Sequence, residues 1–492
     1  MKGGKFFILA KGGEWAQRLG MPLDLRCLVA GRLGENYLLH EEHLNSTLVR
    51  VQRIIGFDAV YARAEGAYLY DLEGQEYLDF LGGYSVFNVG RNHPEVKRAL
   101  RDVLEMDLPN MVQMDCSLLS GLLAEALLKK TPKHLDAVFF CNSGTESVEG
   151  AIKFVRAATG RSGLISLEKS FHGLSNGALS VMGDESFREG FGSLLENCER
   201  VQMGDLERLE EILRRRLTAG LLIEPVQGKG IYFPRDDFYR EAEKLCRKYG
   251  TLLICDEVQT GLGRTGRWWG FEHWGLEPDV ITVAKSLSGG YVPVGAVITR
   301  REIYQKTFSR LDRCVVHSST FGRNNLAMAA GLATLSVIDE EGLVERAREQ
   351  GAELMGRLEG LKAKHSMIKE VRGLGLMIAI EFQEPRELAM RLGWKLLHRV
   401  ERELFTQMIV TSLFQKHRII SQIAGHAMDV LKIIPPLIIG EREIGRFVEG
   451  LDDVLEDCRR FPGPIWDLGA NFLRDSMRGV KRAAVKTVEM SE

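Results

Sequence analysis

Between about residue 100 and residue 336, short apolar runs alternate with longer segments whose apolar residues recur at helical spacing. Six of the short runs predict strands, at residues 137–141, 163–167, 219–224, 251–256, 280–284 and 294–299. Segments such as 145–158 and 237–249 predict helices between several of them. Continuous apolar strands that alternate with helices are typical of a mostly parallel sheet with helices on both faces. The pattern therefore predicts an α/β domain over residues 100–336.

The two ends of the chain have a different pattern of apolar and polar residues. Residues 1–99 contain a helical stretch near 36–55 and then hairpin-like strands around 59–80, and the chain after residue 336 is rich in helices with a strand at 376–382. We predict that residues 1–99 and 337–460 together form one smaller, discontinuous α+β domain.

The last segment, residues 461–492, is predicted to be an amphipathic tail. It starts at a Pro-Gly-Pro break, after which apolar residues recur at helical spacing with Arg and Lys on the opposite face. One interpretation is a helix docked on its own subunit or on a dimer partner. The other is an interfacial helix that makes peripheral contact with a membrane. Gly469 and Gly479 weaken a helix under either interpretation.

Composition excludes several classes of protein. The 492 residues are 45% hydrophobic and 27% charged, with a formal net charge of −2, which is ordinary globular composition and gives no reason to expect nucleic-acid binding. The eight cysteines include no Cys-x-x-Cys pair, so we expect a reducing compartment, the cytoplasm, with no disulfide framework and no metal site. No apolar run approaches the roughly 20 residues of a membrane-spanning helix.

Two residues carry the chemical prediction. Asp256 ends one apolar run, and Lys285 follows another, 29 residues later. Ligands of such sheets bind beyond the carboxyl ends of the strands. A partly desolvated lysine there forms a Schiff base with an aldehyde cofactor, and the carboxylate holds a cationic ring nitrogen. That pairing indicates pyridoxal phosphate, whereas either residue alone would indicate a surface lysine or a salt-bridged aspartate.

Further residues fit the same cofactor. Ser143, Gly144 and Thr145 open a helix, whose N-terminus attracts phosphate, although a simple N-cap with Glu146 in the first turn explains them equally well. The aromatic ring of Phe171 could stack on a flat cofactor or belong to the core.

Seven motifs taken together resemble one family. The segments NSGTESVE, SFHGLS, IEPVQG, DEVQTGLGRTG, AKSLSGG, SSTFGRN and VRGLGLM, in this order, are similar to the class III aminotransferases, which are fold-type-I pyridoxal phosphate enzymes. The resemblance covers roughly residues 60–450 and implies a large domain with a mostly parallel, seven-stranded sheet flanked by helices. FLGGYSVFNVG, FFCNSGTESVE and DEVQTGLGRTG look most like the putrescine and ornithine aminotransferase branch.

The resemblance implies roles for individual residues. Lys285 would be the Schiff-base lysine and the acid and base of the proton shift, with Asp256 as its catalytic partner at the pyridine nitrogen. The cofactor-binding residues would be Ser143, Gly144, Thr145, Phe171, His172, Glu224, Asp256, Val258, Gln259, Lys285 and Thr320. Thr320 would reach the phosphate of the neighbouring subunit, which implies a homodimer or a dimer of dimers. The substrate-binding residues would be Arg372, which grips an α-carboxylate, together with Tyr84 and Lys229.

Three departures from the family pattern stand out. Lys229 replaces the glutamate that shields the substrate-binding arginine, so we expect Arg372 to be unshielded, without an acidic partner. Lys229 itself would either add to an anionic pocket or point elsewhere. Arg323 and Asn325 stand where glycine and proline are common. The stretch 384–430 looks longer than in the putrescine branch, and its aromatic residues either pack as an extra helix or widen the site for a bulky acceptor.

The predicted function is transamination by a ping-pong mechanism. The amino donor would be an amino acid or a terminal amine or diamine of the glutamate, ornithine or putrescine type, and the acceptor an oxo acid or aldehyde. The alternatives are an aminomutase or decarboxylase of the same fold, a transaminase that acts on a bulky lipid-like aldehyde, and a binding module without catalysis.

Overall fold

The structure is a computed structural model that describes residues 23–110, 115–399, 402–426 and 428–460, together with Gly463, Trp466 and Gly469. The predicted amphipathic tail therefore lies almost wholly outside the described residues. The chain divides into two compact units, and the boundary in the sequence lies between Val51 and Gln52.

Within the described ranges the structure has fifteen strands, which are β1 (Tyr61–Glu65), β2 (Tyr68–Asp71), β3 (Glu76–Asp79), β4 (Ala137–Cys141), β5 (Gly163–Leu167), β6 (Cys198–Val201), β7 (Thr218–Ile223), β8 (Leu252–Asp256), β9 (Val280–Val283), β10 (Gly295–Thr299), β11 (Ile368–Leu374), β12 (Met377–Phe382), β13 (Ile419–Ile420), β14 (Gln422–Ile423) and β15 (Val430–Ile433).

The α-helices of the same ranges are α1 (Leu25–Arg32), α2 (Asn36–His43), α3 (Ser46–Ile54), α4 (Gly82–Ser85), α5 (Pro94–Glu105), α6 (Leu118–Leu128), α7 (Gly144–Thr159), α8 (Asn176–Ser180), α9 (Leu206–Arg214), α10 (Phe238–Tyr249), α11 (Arg301–Thr307), α12 (Asn325–Glu340), α13 (Leu343–Lys364), α14 (Leu388–His398), α15 (Leu404–His417) and α16 (Glu441–Cys458). Short 3-10 helices occur at Glu185–Phe187, Gly270–His273, Lys285–Ser288 and Leu311–Arg313.

The main sheet has seven strands in the order β4-β10-β9-β8-β7-β5-β6. Strands β9, β8, β7, β5 and β6 pair in parallel, whereas β10 is antiparallel to both of its neighbours. Only residues 284–294 connect β9 to β10, and a parallel pair needs a longer crossover, usually a helix. The α/β prediction is therefore confirmed, including the mostly parallel seven-stranded sheet.

Both faces of this sheet are buried. Leu222 and Ile254 belong to a cluster with Val155 of α7, and the alternate residues Leu221 and Leu253 belong to the cluster on the other face. Successive residues of a strand point to opposite faces, so continuous apolar runs are required here. This burial explains why six of the seven strands could be predicted. Strand β6, with sequence CERV, lies at the edge of the sheet and is only partly buried.

Two smaller sheets complete the α+β part. One has the order β1-β2-β3-β13, so that a strand from near residue 420 pairs in parallel with β3, and the other has the order β11-β12-β15-β14. A smaller part built from both ends of the sequence is thus present, while the domain boundaries near residues 99, 336 and 460 stay a prediction.

The predicted helix near residues 36–55 is two helices, α2 and α3. The side chain of Asn45 accepts a hydrogen bond of 2.9 Å from the backbone N–H of Leu48, which caps the start of α3. A capping side chain of this kind favours a new helix start over a continuous helix. In the described ranges, no helix combines the length and the apolar character needed to cross a bilayer.

Candidate active site

The candidate catalytic groups lie at the carboxyl ends of two neighbouring parallel strands. Asp256 is the last residue of β8, and it pairs with Thr282 of β9 in the strand register. Lys285 follows β9 after one residue, Ala284, and begins a 3-10 helix with φ of 42°, in the left-handed region. Burial lowers the pKa of Lys285, and the nearby charges of Asp256 and Glu224 oppose that effect only in part. The lysine therefore has more of the neutral amine than a surface lysine has.

The Asp256 carboxylate is held by three donors. The Oδ1 atom accepts hydrogen bonds from the Thr282 hydroxyl at 3.0 Å and the Val258 backbone N–H at 3.1 Å. The Oδ2 atom lies 2.8 Å from Nδ1 of His172. Because Asp256 is only 4% exposed, these contacts compensate for its removal from water and fix its orientation.

His172 extends this network into the protein. Burial by itself lowers the pKa of His172, but the hydrogen bond and the charge of Asp256 outweigh burial, and the pKa lies above its ordinary value. A histidine that carries a proton more readily keeps a negative charge on the carboxylate beside it. The Nε2 atom of His172 is buried and has no hydrogen-bond partner among the described residues.

Glu224 comes directly after β7 and orders the two loops beside it. Its carboxylate accepts the backbone N–H of Phe171 at 2.8 Å and that of Gly228 at 2.8 Å. Burial raises the pKa of Glu224. The contact with Phe171 fixes the backbone from which that aromatic ring projects, and the ring is only partly buried.

The start of α7 lies against the end of β8. Ser143 is the N-cap and accepts from the backbone N–H of Glu146 at 3.2 Å, while the first N–H groups of any helix lack acceptors within the helix. A Cβ atom added at Gly144 would lie 2.8 Å from a methyl carbon of Val258, so glycine permits this close approach. The hydroxyl of Thr145 is 2.6 Å from that of Ser175.

A second group of contacts joins Tyr84, Gln259 and Lys432. The Nε2 atom of Gln259 donates to the backbone carbonyl of Tyr84 at 3.0 Å. The Nζ atom of Lys432 donates to Oε1 of Gln259 at 3.2 Å and to the carbonyl of Gly228 at 2.6 Å, and it lies 5.7 Å from the centre of the Tyr84 ring.

Lys432 was missed by the sequence reasoning. It lies on β15 and is 5% exposed. Burial and then the charge of Lys285 lower the pKa of Lys432 to about 7. The signal that could have found it is a lysine inside the apolar run VLKII, whereas Lys285 follows an apolar run.

Arg372 and Lys229 each pair with acidic side chains, and for Arg372 this differs from expectation. The guanidinium of Arg372 donates to Glu370 at 2.9 Å, to Glu381 at 2.5 Å and to the carbonyl of Gly230 at 2.7 Å. The expectation that Arg372 lacks an acidic partner is therefore wrong, because strands β11 and β12 supply two glutamates. The ammonium of Lys229 pairs with Asp184 at 2.6 Å.

Thr320 is exposed, in the loop between the 3-10 helix at Leu311–Arg313 and α12. Its neighbour Ser319 donates a hydrogen bond of 3.2 Å to Glu146 in the first turn of α7. The loop thus lies next to the helix start that is predicted to bind phosphate.

The residues present fit pyridoxal phosphate. An aldehyde requires an amine with a lowered pKa, a ring nitrogen requires a fixed carboxylate, and a phosphate requires a helix start with a glycine that allows close approach. Lys285, Asp256 and Gly144 meet these three requirements, and the contact between Val258 and Gly144 brings two of the three segments together.

Comparison with known proteins agrees with this geometry. The chain matches the family model described as Aminotransferase class-III over residues 52–455. The chain belongs to the class III aminotransferases. It is an enzyme of this class, and the predicted family and cofactor are confirmed.

Individual relatives show how far the similarity extends. The chain is 36% identical over 454 residues to the aminotransferase PigE of Serratia sp. strain ATCC 39006. The alignment covers 86% of this chain and 53% of PigE, so the chain spans about half the length of that relative. It is 37% identical over 408 residues to the acetylornithine aminotransferase of Methanocaldococcus jannaschii, covering 82% of this chain and 94% of that one.

Among solved structures, the ornithine aminotransferase of Toxoplasma gondii matches with a TM-score of 0.72 and 28% identity, covering 85% of this chain and 97% of that one. That structure is described as having partial occupancy of PLP at its active site. The similarity to acetylornithine and ornithine aminotransferases agrees with the predicted branch of the family.

Proposed function

We propose that this class III aminotransferase is a ping-pong transaminase. It would move an amino group from an amino acid or a terminal amine or diamine, of the glutamate, ornithine or putrescine type, to an oxo acid or aldehyde. The observation that carries the proposal is the placement of Lys285 and Asp256 at the adjacent ends of β9 and β8. Pyridoxal phosphate, when bound, supplies an aldehyde for amines and a ring that withdraws electrons.

Each residue of the cluster then has one task. Lys285 takes a proton from the substrate carbon and returns one during the shift, and its lowered pKa favours the neutral amine that this task requires. Asp256 keeps a negative charge next to the ring nitrogen, and His172 orients that carboxylate through its hydrogen bond of 2.8 Å. Ser143, Gly144 and Thr145 bind the phosphate at the start of α7, while Phe171, Val258, Gln259 and Glu224 hold the ring region.

The substrate carboxylate has two candidate partners. Arg372 has the bidentate geometry that suits a carboxylate, but it must first release Glu370 and Glu381. Lys432 is next to Gln259 and Tyr84, and its charge has no carboxylate partner within salt-bridge distance among the described residues. We assign the carboxylate contact to Lys432 first, with Arg372 available after rearrangement.

A homodimer in the cytoplasm is part of the proposal. Thr320 would reach the phosphate of the partner subunit's site. The exposure of two apolar side chains near Thr320 supports the homodimer: Val315 is 67% exposed and Phe321 is 61% exposed. Apolar side chains of this size gain stability when a second subunit covers them.

The test of the proposed reaction is the donor half-reaction alone. Holoenzyme mixed with glutamate, ornithine or putrescine in the absence of an acceptor should convert its cofactor to the amino form in near-stoichiometric amount, measured by chromatography of the released cofactor. A decarboxylase or aminomutase would instead keep the aldehyde form while carbon dioxide or an isomer accumulates. That result would show that the enzyme is a decarboxylase or aminomutase and not a transaminase.

The role of Lys432 predicts a specific pH dependence. The kcat/KM for a donor with a carboxylate should fall as the pH rises through about 7, because Lys432 loses its proton and with it the charge that binds the anion. Lys432→Arg should keep the charge and move the fall to higher pH. Lys432→Met should raise KM for such donors roughly 10- to 100-fold. That factor corresponds to the free energy of one charge-assisted hydrogen bond.

The control for this prediction is a donor that has no carboxylate, such as putrescine. Its KM should change little in Lys432→Met. Identical pH profiles in the wild type and Lys432→Arg would show that Lys432 does not bind the substrate, and a selective rise of KM in Arg372→Ala would then assign the contact to Arg372.

A further inference from the structure

The ammonium of Lys229 joins two segments beside the candidate active site. It donates to Oδ2 of Asp184 at 2.6 Å, and Lys229 itself is buried. Asp184 lies 45 residues earlier in the chain, between α8 and β6. Gly228, the residue before Lys229, donates its backbone N–H to Glu224 at 2.8 Å. The ion pair therefore attaches the segment after α8 to a loop of the candidate site.

Asp184 uses both of its carboxylate oxygens. The Oδ1 atom accepts from the backbone N–H of Ser186 at 3.0 Å and from its hydroxyl at 2.6 Å, which caps the 3-10 helix Glu185–Phe187. Burial raises the pKa of Asp184, but the hydrogen bonds from Lys229 and Ser186 outweigh burial, and the pKa lies below its ordinary value. Asp184 therefore stays charged at neutral pH and fixes the start of this helix next to Lys229.

The same 3-10 helix brings Phe187 to the ring of Phe171. The Nζ atom of Lys229 lies 3.8 Å from the centre of the Phe187 ring, which is within the range of a cation–π contact. The rings of Phe187 and Phe171 meet edge to face, with centres 5.7 Å apart and planes at 84°, an arrangement that aromatic pairs prefer. Glu224 holds the backbone of Phe171, and Phe187 contacts its ring.

A second ion pair of this helix is more exposed. Glu185 pairs with Arg200 at 3.2 Å, but the side chain of Glu185 is 81% exposed. The side chains of Lys229 and Asp184 are 11% and 24% exposed. Water and salt screen an exposed pair more strongly than a partly buried one. The pair with Lys229 therefore contributes more to the position of Phe187 than the pair with Arg200 does.

We propose that Lys229 is a positioning residue, whose ion pair with Asp184 holds Phe187 against the ring of Phe171. Because Phe171 is the residue proposed to stack on pyridoxal phosphate, this inference rests on the proposed function and deepens it. A ring that is already held loses less rotamer freedom when a flat cofactor binds. The glutamate of the family pattern could not form this contact, since it would repel Asp184. The assignment replaces the predicted contact of Lys229 with the substrate.

The first arm of the experiment measures attachment of the segment by limited trypsin digestion of the holoenzyme, with mass spectrometry of the fragments. The bond after Arg188 leads into an exposed stretch, residues 189–193. Lys229→Met should speed cleavage of this bond about 3- to 10-fold, because cleavage follows the population of the open segment. Lys229→Arg keeps the charge and should be cleaved at nearly the wild-type rate.

The matched control is Lys130→Met. Lys130 follows α6 and also combines an ion pair with a ring contact: its Nζ atom is 2.7 Å from Asp339 and 4.6 Å from the centre of the Trp268 ring. This variant should leave the cleavage after Arg188 unchanged. Equal rates of that cleavage in Lys229→Met and the wild type would overturn the proposal.

The second arm titrates the apoenzyme with pyridoxal phosphate. The Kd should rise about 3- to 10-fold in Lys229→Met, the range expected for loss of one aromatic contact, and return toward the wild-type value in Lys229→Arg. Phe187→Leu should give a similar rise, and the double variant Lys229→Met/Phe187→Leu should be no weaker than Phe187→Leu alone. Additive losses, or a wild-type Kd in Lys229→Met, would show that Lys229 does not act through Phe187.

A direct contact of Lys229 with the substrate would give a different result. In Lys229→Met, KM should change by the same factor for glutamate, which has carboxylates, and for putrescine, which has none. A rise of KM confined to glutamate would overturn the positioning role. None of these results touches the proposed function, which fails only if no donor converts the cofactor to its amino form.

Discussion

Lys285→Ala is expected to abolish transamination, with kcat reduced roughly 10⁴-fold or more. The variant loses both the amine that joins the cofactor and the group that moves the proton, and proton transfer alone contributes about 10²- to 10⁴-fold. Lys432, a buried lysine whose charge interacts with that of Lys285, is not expected to replace it, because its amine is already bonded to Gly228 and Gln259. Steady-state kinetics of the cofactor-loaded protein measure the effect.

Covalent attachment gives this prediction a second readout. After borohydride reduction and proteolysis, mass spectrometry should find the cofactor on the peptide that contains residue 285 in the wild type and not in Lys285→Ala. Lys248→Ala serves as the matched control, because Lys248 is an exposed lysine of α10 that pairs with Glu210. Wild-type turnover in Lys285→Ala would refute the assignment of the site.

Asp256→Asn should give the second largest effect, a loss of about 10²- to 10⁴-fold in kcat. Removing one partner of a buried charged pair costs about 3–5 kcal/mol, and each 1.36 kcal/mol corresponds to a factor of ten. Asparagine keeps the size of the side chain and can still accept from Thr282 or Val258, so the fold should persist. It has no negative charge, however, to stabilise a proton on the ring nitrogen or on His172.

The affinity for the cofactor and the thermal midpoint distinguish this chemical effect from unfolding. We expect apo Asp256→Asn to unfold at a lower temperature than the apo wild type, because His172 loses its charged partner, but to remain folded at the assay temperature, where it should show a large fall in kcat. His172→Asn should show a smaller loss of kcat, since it removes the group that orients the carboxylate and leaves the charge in place. Equal kcat in Asp256→Asn and the wild type would exclude a role for the charge.

Much of the main sheet and its catalytic ends could be predicted from the sequence. Strands buried on both faces must be apolar throughout, so their ends are visible as the points where Asp256 and Lys285 appear. The start of α7 could also be predicted, because an N-cap serine followed by glycine is a signal contained in a few neighbouring residues. Strand β6 escaped prediction because an edge strand with polar residues has no comparable signal.

The residues around the substrate could not be predicted in the same way. Arg372 meets Glu381 because β11 and β12 pair, and Lys229 meets Asp184 across 45 residues of sequence. Lys432 reaches Gln259 across 173 residues. Such partners depend on which segments the tertiary fold brings together, and the local sequence pattern around each residue does not predict those long-range contacts.

The sequence by itself determined that Asp256 and Lys285 stand at the ends of two buried strands, since the burial of a strand on both faces requires an apolar run that stops where these residues appear, while their catalytic roles stay a prediction. The tertiary structure alone decided which cations are neutralised and which are free. Arg372 and Lys229 are paired, whereas Lys432 has no carboxylate partner within the described ranges. The reason is physical, because the effect of a charge depends on its distance to other charges and to water, and only the folded arrangement fixes those distances.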